Sequence, residues 1–280
     1  MQVLITVQEM RAACRAIRRN GQSLGLVPTM GALHAGHIAL VRAARSQCDV
    51  VAASIFVNPT QFGPNEDFAK YPRTFEQDCA MLRSESVALV FAPQPEEMYP
   101  TGASTIVEVE GVGDRLDGAS RPGHFRGVAT VVAKLFHIAA PDKAFFGQKD
   151  AAQVAVLRRM VRDLNFDLEL IVCPTMREPD GLALSSRNRY LSAEQRTRAL
   201  VLSSALNAIS AAYRAGQKDV ARLLEAGRHA IAAEPEVRID YLAIVDWDTL
   251  MPFTEARAGA LVAVAAHVGS TRLIDNTILE

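Results

Sequence analysis

The stretch Pro28-Thr29-Met30-Gly31-Ala32-Leu33-His34-Ala35-Gly36-His37 sets two histidines three residues apart, where an apolar run gives way to a helical pattern. Gly31 and Gly36 let backbone approach a ligand closely, and a helix N-terminus offers free N–H groups and partial positive charge to an anion. Both imidazoles can face that anion and donate to charge developing on it. A metal pair lacks a third Cys, His or carboxylate nearby in sequence, and the spacing alone also fits two satisfied histidines in a turn. The strand–glycine–helix setting favours a nucleotide phosphate site.

Two further segments suit phosphate. In Phe145-Phe146-Gly147-Gln148-Lys149-Asp150, Lys149 is a point charge for phosphate oxygens, and Asp150 can accept from ribose hydroxyls or cap a helix. In Leu184-Ser185-Ser186-Arg187-Asn188, two hydroxyls beside a guanidinium suit the outer phosphates of a triphosphate. Each alone equally fits a capped helix or a helix-capping loop; three such elements together are more informative. No Gly-x-x-x-x-Gly-Lys-Ser/Thr or Gly-x-Gly-x-x-Gly is present, and Gly111-Val112-Gly113 lacks the third glycine. Asn58-Pro59-Thr60-Gln61-Phe62 and Gln153 supply amides that both donate and accept, as a small hydroxylated acid requires. Asp78 reads either as a water-mediated Mg²⁺ site or as a solvated helix face. Ser120–Gly127 is a dense polar stretch, open between a substrate-side loop and a subunit contact.

To converge, these groups must lie at the ends of regularly placed elements. Strand-like runs cover Leu24–Thr29, Val50–Asn58, Ala88–Ala92, Lys143–Gly147 and Leu168–Pro174, with helical patterns near Gly36–Gln47, Phe75–Ser84, Gly127–Ala139 and Ala151–Leu164. Runs of Val, Ile and Phe without clean alternation predict strands buried on both faces. The alternation predicts a Rossmann-like, doubly wound parallel α/β domain over residues 1–175, with ligands beyond the carboxyl ends of its strands. The turn-rich stretch Arg177–Arg189 reads as a linker or active-site loop. Beyond it, one helix over Ser192–Ala215, a second near Asp219–Ala233, and strand-like Ile239–Val245 and Ala260–His267 predict a smaller α+β domain over 176–280.

The chain has 280 residues, 49% hydrophobic, with 30 basic against 31 acidic side chains. That near-neutral balance argues against a polyanion partner such as DNA or RNA. Cys14, Cys48, Cys79 and Cys173 stand singly, as reduced thiols do. The longest apolar run, Val128 to Ala140, is broken by Lys134 and His137, so no membrane span is expected. The N-terminus lacks a secretory pattern, which predicts a cytoplasmic protein.

The ordered set VPTMGALHAGH, SIFVNPTQF, YPRT, FAP, ASRPGHFRGV, FFGQKD, DGLALSSRN and the terminal RLIDN resembles the pantoate–β-alanine ligase (pantothenate synthetase) family, and covers essentially the whole chain. That family is similar to the wider His-x-Gly-His nucleotidyltransferases. Many adenylyltransferases share one such motif; the ordered set is specific. The resemblance implies condensation of pantoate with β-alanine through a pantoyl adenylate, with Mg–ATP as substrate, in a homodimer joined through the N-terminal domain. It implies an ATP site formed by Met30 to His37, Gly147, Gln148, Lys149, Asp150, Met176, Leu184, Ser185, Ser186 and Arg187. His37, His34 and Lys149 would serve catalysis, Gln61 both pantoate and β-alanine, and Gln153 pantoate. Two departures stand out: Ala152 precedes Gln153 where the family often has a second glutamine, and Gln77 precedes Asp78 where it has an acid. The second weakens a direct metal role there. The rival readings are an adenylyltransferase that keeps a dinucleotide product and a non-catalytic ATP-binding module; the abundance of polar strand ends favours an enzyme.

Overall fold

The computed structural model describes residues 1–64 and 66–280. Strand β1 (Gln2–Leu4) leads into helix α1 (Val7–Arg19), whose start is fixed by a reciprocal cap between Thr6 and Glu9. Then follow β2 (Leu24–Thr29), α2 (Ala35–Arg45), β3 (Val50–Ile55), α3 (Phe75–Ser84), β4 (Leu89–Phe91), and two single-turn helices, α4 (Pro95–Met98) and α5 (Asp117–Ser120). Helix α6 (His124–Ala139), β5 (Lys143–Gly147), α7 (Ala151–Asp163) and β6 (Glu169–Cys173) complete the larger layer. Six strands form one parallel sheet in the order β1-β4-β3-β2-β5-β6, the doubly wound arrangement the sequence predicts. Strand β1 escapes notice in the sequence because it is a three-residue edge with Val3 43% exposed.

The chain winds from β2 outward through β3 and β4, then returns to the other side of β2 as β5. The order of strands therefore switches between β2 and β5, where loops leaving the two carboxyl ends splay apart and open a crevice. Those two loops are the ones that carry the histidines and Lys149. Helix α6 buries 12 of its 16 residues, so it packs as an inner element and not as a surface cover. Its first turn includes His124–Gly127, so part of the polar stretch Ser120–Gly127 is helix and not loop.

Beyond the loop come α8 (Ala193–Ala199), α9 (Val201–Arg214), α10 (Val220–Ile231) and an antiparallel sheet of β7 (Val237–Val245), β8 (Leu261–Val268) and β9 (Thr271–Ile278). The single helix expected over Ser192–Ala215 is two helices meeting at Leu200. The Ser203 and Ser204 hydroxyls both donate to the Leu200 carbonyl and compete with its helical partner, which bends the chain there. Strand β9 was not expected either, since Arg272, Asp275 and Asn276 interrupt its apolar residues. Val245, Leu250, Leu261 and Ala263 belong to the same core as Phe136 and Met160, so the smaller sheet packs directly on the larger layer.

Candidate active site

Loop Met30–Leu33 leaves β2 in a conformation that needs support. Gly31 has φ 81° and Ala32 φ 50°, a left-handed backbone that costs a non-glycine residue on the order of 1–2 kcal/mol. Asp78, from α3, provides the support: its carboxylate accepts the N–H of Ala32 (2.9 Å) and of Leu33 (2.8 Å), and the Thr74 hydroxyl (3.1 Å). A Cβ on Gly31 would press to 3.0 Å from that carboxylate, so the position takes glycine. Asp78 is 1% exposed, which overturns the solvated-face reading.

The histidines cap α2 reciprocally. His34 Nδ1 accepts from Gly36 N–H (3.1 Å) and His37 Nδ1 accepts from His34 N–H (3.3 Å), with ring centroids 4.1 Å apart. A neutral ring whose Nδ1 accepts must carry its proton on Nε2, so each has an Nε2–H to offer a ligand. A Cβ on Gly36 would meet the His34 ring at 2.9 Å, which explains the small residue between them. Burial, then the Lys149 ammonium, push His34 down to about 4; burial, then His34, push His37 down to about 3. Lys149 is thus an electrostatic neighbour of His34, although it lies on the other side of the crevice.

Lys149 lies in a 3₁₀ turn, Gln148–Asp150, at the end of β5. Its ammonium is 3.5 Å from Asp150. Asp150 occupies the N-cap position of α7 but makes no capping bond with its side chain, so capping is not its role. Ser185 Oγ accepts from Arg187 N–H (3.3 Å) and keeps its O–H to donate, and Ser186 is 3.4 Å from the Tyr71 hydroxyl. The Arg187 fork is bidentate on Asp67 (2.9 and 3.0 Å). Met176 gives its carbonyl to Leu184 N–H, which pins the base of that loop. A cleft of about 850 Å³ is lined by Lys149, Asp150, Gln153, Ser185 and Arg187 together with Arg121 and His124.

Gln61 is held from all sides. Its Oε1 accepts from Asn58 Nδ2 (3.1 Å) and its Nε2 donates to Met30 Sδ (3.0 Å), which ties the loop after β3 to the loop after β2. Asn58 is 1% exposed, and its Oδ1 also accepts from Tyr99 (2.8 Å) and Thr60 (3.0 Å). Helix α6 passes so close that a Cβ on Gly127 would overlap the Thr60 carbonyl. His124 Nδ1 donates to the Gln61 carbonyl (2.8 Å), while its Nε2 accepts from Arg121, itself bidentate on Glu66. Sequence reasoning left Ser120–Gly127 undecided and saw Asn58 only as part of a polar run. Asn58 and Tyr99 lie 41 residues apart, Glu66 and Arg121 55, and Gln61 and His124 63, and no local spacing announces these pairs.

Burial, then Arg121, push His124 down to about 4, so His34, His37 and His124 are all neutral at pH 7. In the unfolded chain they protonate near 6.5. Their native pKa values are depressed, so this contribution to stability is complete above about pH 6.5. It is lost as pH falls toward 4 and then 3, because the unfolded chain takes up protons that the native one refuses. An NMR titration of the ligand-free protein is expected to hold all three rings at neutral shifts from about pH 8 to about pH 5. Titration of any of them near 6.5 refutes the buried, Nδ1-accepting or Nδ1-donating geometry.

Known proteins resemble this chain in sequence and in fold. The profile of the Pantoate-beta-alanine ligase family matches residues 2–278. A pantothenate synthetase of Acidobacterium capsulatum is 64% identical, covering 98% of this chain and 95% of that protein, and one of Moorella thermoacetica is 57% identical, covering 100% and 99%. The crystal structure of pantothenate synthetase from Thermus thermophilus superposes with a TM-score of 0.94 at 52% identity, covering 99% of both chains. That of the pantoate–β-alanine ligase from Francisella tularensis, complexed with β-γ ATP and β-alanine, gives 0.81 at 34% identity, covering 99% and 97%. With its parallel sheet, its two loops at the switch point and a match over nearly its whole length, the chain belongs to the pantoate–β-alanine ligase family.

Proposed function

We propose that this ligase condenses pantoate with β-alanine in two steps in the cleft between β2 and β5. The pantoate carboxylate attacks the α-phosphorus of ATP, forming a pantoyl adenylate and releasing pyrophosphate. The β-alanine amine then attacks the acyl carbon, releasing AMP and a proton and leaving pantothenate. The observation that carries this reading is the pair of Nε2–H donors on the loop leaving β2, next to β5 with its Lys149 turn, and buried Gln61 bonded to Met30 of that same β2 loop. Neutral imidazoles donate to phosphate oxygens at little desolvation cost, and Lys149 adds the compensating charge. Met30–His37, Gly147–Asp150, Met176 and Leu184–Arg187 hold ATP; Gln61 and Gln153 hold pantoate, and Gln61 also faces β-alanine. Enclosure by the 177–189 loop keeps water from the adenylate.

Among the described residues no group of three or more His, Cys, Asp or Glu side chains is placed to hold a metal ion. The Asp78 carboxylate is already taken by two N–H groups and a hydroxyl. Residues for a protein-held metal do not fit here; Mg²⁺ enters with ATP, carried by the phosphates as is usual for that ion. Asp78 is a positioning residue for the Ala32–Leu33 backbone. Units 1–175 and 176–280, pairing through the first of them, and a cytoplasmic location complete the reading. The four cysteines are all free, and no described helix is long and apolar enough to cross a membrane.

A drop-out assay with Mg–ATP, pantoate and β-alanine tests the function. AMP and pantothenate are expected only with all components, and pyrophosphate plus a trapped adenylate when β-alanine is omitted. A dinucleotide or ADP product rejects the assignment.

A further inference from the structure

The terminal RLIDN stretch is used by no step above, yet it lies in β9, against the Lys149 turn. Asn276, 3% exposed, sends its Nδ2 to two carbonyls at once, those of Gln148 (2.9 Å) and Lys149 (2.9 Å). Its Oδ1 accepts from the Gln148 side chain (3.2 Å). One side-chain amide thus holds both peptides that flank the Lys149 α-carbon, in a turn that no side chain caps. The preceding residue, Asp275, is 4% exposed and accepts the Arg177 fork (2.6 and 2.9 Å); Arg177 in turn donates to the Gly181 carbonyl (3.1 Å). Neighbouring strand residues point to opposite sides. Two adjacent side chains of β9 therefore grip the Lys149 turn and the base of the loop that carries Ser185–Arg187.

We propose that Asn276 is a positioning residue for Lys149 in adenylate formation, so that the smaller sheet sets where the lysine stem begins. The inference rests on the reading of Lys149 as the phosphate-facing cation. Without Asn276 two carbonyls lose their donor and the turn is free to rotate, and misplacing a catalytic group by about 1 Å can cost as much as a hundredfold. The effect is confined to the half-reaction in which pyrophosphate is present. Aminolysis of the adenylate, from which pyrophosphate has gone, does not call on Lys149.

Asn276→Ala and Asn276→Ser, made in the full chain, are assayed for pyrophosphate release with Mg–ATP and pantoate. They are assayed separately for aminolysis of supplied pantoyl adenylate by β-alanine. Pyrophosphate release is expected to fall roughly ten- to a hundredfold in the alanine variant. The serine variant, which keeps one O–H donor, is expected to fall less, with aminolysis within about twofold of wild type in both. Equal losses in both half-reactions, no loss in either, or failure of both variants to fold overturns the proposal in favour of a purely structural role. Lys149→Ala runs alongside. If it releases pyrophosphate normally, the reading beneath the proposal fails. If it is crippled while Asn276→Ala is not, the Asn276 assignment alone fails.

Discussion

Lys149→Ala is expected to slow pyrophosphate release from Mg–ATP and pantoate by roughly a hundredfold or more, the loss seen when one preorganised electrostatic donor is removed from a reacting centre. The expectation comes from placement. Lys149 leaves the carboxyl end of β5 at the topological switch and lines the cleft with Gln153 and Ser185. It is near enough to His34 to depress that imidazole. Its ammonium has one carboxylate neighbour, Asp150 at 3.5 Å, too long for a strong pair, so the charge remains available to phosphate. A side effect identifies the site independently: without the cation, the His34 pKa rises, because one of the two main causes of its depression is gone. Rapid-quench measurement of the first turnover, together with NMR of His34, checks both. Near-wild-type pyrophosphate release removes Lys149 from the chemistry.

Asp78→Asn is expected to lower stability by about 2–3 kcal/mol, since bonds to a charged acceptor are worth about 1.5–3 kcal/mol and an amide turns one acceptor into a donor. Ala32 N–H and Leu33 N–H each bond one of the two oxygens, so whichever way the new amide turns, one N–H faces an NH₂ group. The left-handed Ala32 loses its restraint, the loop ahead of His34 relaxes, and adenylate formation falls about tenfold or more through misplacement of the imidazoles. The Mg²⁺ concentration for half-maximal rate is expected to stay unchanged, since on the proposed reading the ion is carried by the ATP phosphates and not by Asp78. Urea denaturation and a Mg²⁺ titration measure the two halves of the expectation. A raised Mg²⁺ requirement with unchanged stability would restore the metal reading of Asp78 and refute the positioning one.

The contrast between Lys149 and Asp78 shows where sequence reading stops. Lys149 stands in a strand–turn–helix context that a window of six residues displays, and its chemistry follows from its own type. Asp78 shows only a carboxylate on a helix. Its task is set by the Ala32 and Leu33 amides 46 and 45 residues away, which α3 meets because it packs back toward β2. Ser120–Gly127 stayed undecided for the same reason. His124 means something only once its Nδ1 reaches the Gln61 carbonyl across 63 residues. Helix α9 begins where it does because two serines take the Leu200 carbonyl, a contest that periodicity does not register.

By itself, then, the sequence determined the parallel α/β layer and the smaller α+β unit beyond it. It also determined the three strand-end segments suited to phosphate and, through their order, the family. Hydrophobic period, glycine placement and side-chain type act over a few residues, and a few residues are what a sequence shows. Tertiary structure alone decided that His124 carries its proton on Nδ1, aimed at the Gln61 carbonyl, and that Asp78 braces a left-handed turn. It alone brought Asn276 of the last strand onto both peptides around Lys149. Those are partnerships between buried polar groups. A buried donor must find an acceptor wherever packing happens to supply one, whatever the distance along the chain.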